Sequence, residues 1–173
     1  MSEMTVMRGL VAFAVVALAV VLQVSLFPHF AWDGVVPNLA LLVVVGAALV
    51  RGPQFAATLG FVAGVVIDLA PPADHVAGRW ALALVVVGYL AGRVRQDARP
   101  HVLAAVGTVA AASFIGTSLF ALSGLILNDP AVSVPDMLEV ILVAVVWDVL
   151  LTPFVLPPVM TLFRRLEPAE VAW

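Results

Sequence analysis

A chain of 173 residues, 64% hydrophobic and only 11% charged with a mean hydropathy of +1.16, is unlike a soluble domain, where those shares are roughly 45–50% and about 25%. Six bilayer spans of about 20 residues would use roughly 120 positions, which excludes a separate catalytic domain of ordinary size. Without cysteine there are no disulfides or thiolate sites, and a net charge of −3, with all eight basic residues arginine, implies no nucleic acid or other strongly charged partner.

The first apolar run, 9–27, holds only Gln23 and Ser25 as polar side chains and is long enough to span. Arg8 precedes it as in a signal peptide, but Phe27, Pro28, His29, Phe30 and Trp32 follow where small residues would mark a cleavage site. The second run, 35–50, opens at the outer face with Pro37-Asn38, a proline start signal with an amide behind it. Only Arg51-Gly52 separates it from the third, 53–70, so these two are antiparallel neighbours. The fourth run, 76–92, carries Arg79 near its start and is followed by Arg93, Arg95 and Arg99; the fifth, 102–127, has no charge. The sixth, 137–163, follows a capping sequence, Ser133-Val134-Pro135-Asp136, and contains Pro153, Pro157 and Pro158. The pattern predicts an all-α integral membrane protein, a six-transmembrane-helix bundle forming one transmembrane domain over 1–173.

Loops rich in arginine mark the cytoplasmic side. With the amino terminus inside, seven of the eight arginines are cytoplasmic and only Arg79 is not, so both termini are expected inside. Trp32 and Trp80 then fall at the outer interface, Tyr89 and Phe163 near the inner one, and Trp147 within the bundle.

Asp148 is the costliest residue, about eleven helical steps of 1.5 Å from Met137 and thus near mid-membrane. It is either a buried polar site or proton relay, with Pro153 weakening the helix nearby, or a carboxyl hydrogen-bonded to Ser, Thr or Asn of a neighbouring helix. Asp68 closes the third helix at the outer interface, where its charge opposes the helix dipole and invites a partner such as Arg79. It reads as an interfacial ion pair or as a contact for an extracytoplasmic partner. Asp136 and Glu139 read as caps. Small residues four apart, Gly60 with Gly64, Gly88 with Gly92 and Ala112 with Gly116, allow close helix packing within the chain, at a partner or between two copies. His29, His75 and His101 lie in loops without ligand spacing, so no metal is expected. The serine–histidine, clustered-acid and nucleotide-loop patterns of membrane enzymes are missing too, which predicts neither catalysis nor a cofactor.

The order of these features is more specific than any one of them. Pro37-Asn38-Leu39-Ala40-Leu41, then Gly60-Phe61-Val62-Ala63-Gly64-Val65-Val66-Ile67-Asp68-Leu69, then Gly78 with Ala81-Leu82, then Gly88-Tyr89-Leu90-Ala91-Gly92 together resemble the rod shape-determining protein MreD family. The motifs cover about a third of the chain, and Asn38 stands where the family pattern has an acid. The resemblance implies a bacterial inner-membrane scaffold of the cell-elongation machinery. Its direct partner would be MreC, with RodA, the elongation penicillin-binding protein and MreB in the wider complex that organises lateral peptidoglycan synthesis. It also implies similarity in fold to the S components of energy-coupling-factor vitamin transporters, which supplies an alternative function, substrate binding. Against that alternative, the Ala-x-x-x-Ala contact motif common on the first helix of S components does not occur between Gly9 and Phe27.

Overall fold

A computed structural model describes residues 2–32, 34–71, 75–97, 102–127 and 134–166. Within them are six α-helices and one short 3-10 turn: α1 (Ser2–Ser25), the turn (Phe27–Phe30), α2 (Leu39–Arg51), α3 (Pro53–Leu69), α4 (Arg79–Asp97), α5 (Val102–Ile126) and α6 (Val134–Arg165). Helices are the expected outcome for apolar runs in lipid, because each backbone polar group must be satisfied within its own segment. Segments of α1, α5 and α6 (Val6–Ser25, Val102–Ile126 and Met137–Arg165) are long and apolar enough to cross a membrane, whereas α2 and α3 are shorter apolar helices.

The arrangement follows from α2. Its sequence is apolar on every side, and Leu39 through Ala48 together with Val50 are all buried, as a helix without a polar face requires. The helices α1, α3, α4, α5 and α6 pack around it, with α3 against α1 and α4, and α5 against α4 and α6. The centre is filled by aliphatic side chains: Val16 from α1, Leu41, Leu42, Val44 and Val45 from α2, Leu84 and Val87 from α4, and Val109 from α5 are fully buried.

Thirteen residues rise only about 20 Å, less than the roughly 30 Å hydrocarbon thickness. The chain leading into α2 is irregular, and its last two residues, Pro37 and Asn38, are buried by protein, where a membrane tolerates such backbone. After the 3-10 turn, Trp32 and Val35 exchange backbone hydrogen bonds of 3.1 and 2.8 Å around Gly34, whose φ is +79°. Pro37, without an N–H, is fully buried just before α2 begins. The second helix therefore starts four residues later than its apolar run, at Leu39 rather than 35, and Pro37-Asn38 are buried among the helices.

At its other end α2 turns sharply into α3 at Gly52, whose φ of +85° suits glycine. The Gly52 N–H donates to Ala48 O and its carbonyl accepts from Ala56 N, both at 3.1 Å, so one residue ends one helix and opens the next. The fourth helix begins at Arg79, after Gly78 with φ +101°, rather than at 76, and continues through Arg93 to Asp97. The sixth runs beyond both expected ends and carries its three prolines without ending. Ser133 and the side chains of Arg95 and Asp136 lie outside the described residues, as do Arg99 and His101, and Glu139 is exposed.

Arg51, Arg93, Arg164 and Arg165 gather at one end of the bundle. Gly92 of α4 abuts Pro53, and Arg51 Nη1 donates to Leu166 O at 3.2 Å. The start of α1 and the end of α6 lie at that end, and Arg79 at the other. Phe163, expected in an interfacial belt, is instead fully buried and packs edge-to-face on Phe55 at 5.8 Å, with the Arg51 guanidinium 4.4 Å from the Phe55 ring centre.

Candidate functional site

The first candidate is built around the start of α2. A helix begins with backbone N–H groups that have no partner within the helix, and here that end is buried. Asn38, the N-cap, turns its Oδ1 onto Leu41 N at 2.9 Å. Its own N–H donates to Asp148 Oδ1 of α6 at 2.7 Å. Ala40 N donates to Gln23 Oε1 of α1 at 3.3 Å, and the second Asp148 oxygen accepts from Ser113 Oγ of α5 at 2.7 Å. Asp148 is wholly buried, as is Ser113. Its carboxyl thus joins α6 to α5 and to the positive end of the α2 dipole, where a carboxyl is favoured. The Asp148 carbonyl accepts from Thr152 Oγ1 at 2.8 Å. Among the described residues, two buried nitrogens, Asn38 Nδ2 and Trp147 Nε1, have no hydrogen-bond partner.

Composition marks Asp148 as costly and Gln23 as polar, but neither residue reveals its partner by spacing. Ser113 carried no signal at all, being one of five hydroxyls in an uncharged helix.

The second candidate lies at the opposite end from the arginine cluster. Asp68, in the last turn of α3, is buried by protein, with 3% exposure. Asp68 caps the start of α4. Asp68 Oδ2 accepts from Gly78 N at 2.8 Å and Ala81 N at 3.1 Å. Its Oδ1 accepts from Trp80 N at 3.1 Å and lies 3.0 Å from His75 Nε2. A carboxylate unfavourable for its own helix end is favourable for the start of the next.

The side chain of Arg79 turns to α5. Nη2 donates to Phe120 O at 2.8 Å and Nε to Ser123 Oγ at 3.2 Å, and the guanidinium lies 3.9 Å from the Phe120 ring centre. The Trp80 indole stacks on Phe120 at 4.6 Å, with the His75 ring edge-on at 5.1 Å. His75, Phe120 and Ser123 escape sequence reasoning because they meet only when three helix ends converge.

The glycines link the two ends. A Cβ at Gly60 would meet the Leu84 carbonyl, at Gly64 the Ala81 backbone, at Gly88 the Ala56 carbonyl and at Gly92 the Pro53 backbone. The two Gly-x-x-x-Gly segments thus face the same antiparallel α3–α4 seam, where backbone meets backbone. Gly116 lies elsewhere, against Leu41 and Val87 side chains. Among the described residues no three His, Cys, Asp or Glu come together as a metal site. What these groups do chemically is accept and donate hydrogen bonds that hold helix ends at fixed depth.

No curated protein and no solved structure matches the chain. The family of the rod shape-determining protein MreD matches residues 3–165, from the first turn of α1 to the end of α6, and the chain therefore belongs to that family of shape-determining membrane proteins.

Proposed function

We propose that this chain is a non-enzymatic scaffold of the bacterial cell-elongation machinery, a single transmembrane domain in the cytoplasmic membrane that binds MreC directly. Through MreC it is coupled to RodA, the elongation penicillin-binding protein and MreB, and so to lateral peptidoglycan synthesis. The observation that carries this reading is family membership along 163 consecutive positions, residues 3–165. The chemistry of the two polar clusters supports it. Asp148 ties the start of α2 to the middle of α5, and Asp68 uses both carboxyl oxygens at the start of α4, and a rigid bundle is what a scaffold needs to present fixed surfaces.

The gathering of Arg51, Arg93, Arg164 and Arg165 at one end favours that end as cytoplasmic, with both termini inside. The alternative, an S-component-like vitamin-binding subunit, keeps the same fold proposal but requires a ligand among the outer helix ends. Affinity purification of the chain from its membrane separates the two. Recovery of MreC without a small molecule is the expected result, and a copurifying vitamin without MreC would contradict it.

A further inference from the structure

Between α5 and α6 a groove of about 500 Å³ opens on the flank of the bundle. Val102, Ala105 and Val106 form one wall, Pro153 and Pro157 stand in the other, and Arg164 closes the arginine-bearing end. Along α6 its lining extends from Val149 to Arg164, about 22 Å at 1.5 Å per residue. That is about three-quarters of the roughly 30 Å hydrocarbon core.

α6 lines the groove for more than four turns and α5 only through its first turn, Val102 to Val106. A long, apolar, laterally open groove of about 22 Å matches an extended hydrocarbon chain in length and chemistry.

The ends have matching polarity. Arg164 is the one charged residue of the lining among the described residues, is exposed, and stands in the last turn of α6 beside Arg165. The groove's hydroxyls are already engaged: Thr152 Oγ1 donates to Asp148 O and Thr161 Oγ1 to Pro157 O, both at 2.8 Å. The prolines offer no N–H to an occupant. The site is therefore apolar along its length and cationic at one end. We propose that the α5–α6 groove binds one anionic phospholipid, an acyl chain lying along Pro153 and Pro157 and the phosphate on Arg164.

Native mass spectrometry of the full chain, released from detergent after titration with phosphatidylglycerol or phosphatidylcholine, tests this. One phosphatidylglycerol should be retained per chain in preference to phosphatidylcholine. Arg164→Gln should weaken retention about fivefold, the size of one arginine–anionic-lipid interaction, and Arg164→Lys should restore most of it. Arg165→Gln, outside the lining, should matter less. Ala105→Phe, which fills the groove, should lower retention of both lipids. Because Arg164 is exposed, its variants test the proposal even if Ala105→Phe misfolds. Equal retention of the two lipids would overturn it, as would equal effects of Arg164→Gln and Arg165→Gln. A folded Ala105→Phe that keeps its lipid but loses self-association would reassign the groove to a second copy of the chain.

Discussion

Asp148 is wholly buried and has both carboxyl oxygens occupied, by Asn38 N and Ser113 Oγ. Removing the carboxyl strands a backbone N–H and a hydroxyl in a place without water, at a cost of about 1–3 kcal/mol for each unsatisfied group. Asp148→Leu should therefore lower the unfolding temperature in detergent strongly. Asp148→Asn, which still offers an acceptor to Asn38 N, should lower it much less. Equal losses would mean that these hydrogen bonds do not hold the junction. Asp68 gives a parallel contrast. Asp68→Leu strands the Gly78, Trp80 and Ala81 amides and should destabilise more than Asp68→Asn, which keeps one accepting oxygen. Thermal unfolding of both variants checks the order. The sequence alone marks Asp148 as expensive to bury and reads Asp68 as interfacial, but the partners of both come from other parts of the chain. Ser113 and Gln23 could not be told from other polar residues of apolar runs, and Arg79, the partner expected for Asp68, is drawn to Phe120 by a carbonyl and a ring face on α5.

Among the elements, α3 and α4 form the closest pair. A side chain at Gly60 or Gly64 would collide with the backbone of α4, which cannot move as a side-chain tip can. Gly60→Leu and Gly64→Val should each separate the two helices and abolish accumulation of a monodisperse protein. Gly107→Ala has open space around its Cβ and should be neutral or stabilising by up to about 1 kcal/mol. Size-exclusion profiles and unfolding temperatures of the set distinguish these outcomes, and a well-folded Gly64→Val would refute the seam. The four-residue glycine spacing was legible, as were α3 and α5 to within a residue at each end. The starts of α2 and α4 were not, because hydropathy does not distinguish a buried extended segment such as Val35 to Asn38 from a helix, and Gly78 sets the second boundary by its φ.

For the whole molecule, the number of helices and their alternating direction follow from apolar runs and short connections. The central place of α2 does not announce itself so directly, although a 13-residue helix apolar on every side has to be wrapped by protein to have a place in a membrane. The chain has no cysteine, so single-cysteine variants report topology cleanly. A cysteine replacing exposed Phe30 should react with a membrane-impermeant thiol reagent added outside, and one replacing exposed Arg165 only after permeabilisation. The reverse pattern would invert the bundle. The scaffold role itself is tested most directly by depleting the resident family member of a rod-shaped bacterium, supplying this chain in its place and following cell outline by microscopy. Depleted cells should become round, recovering rods with the wild-type chain or Asp148→Asn but not with Gly60→Leu. Depleted cells that stay round with the wild-type chain would contradict the account.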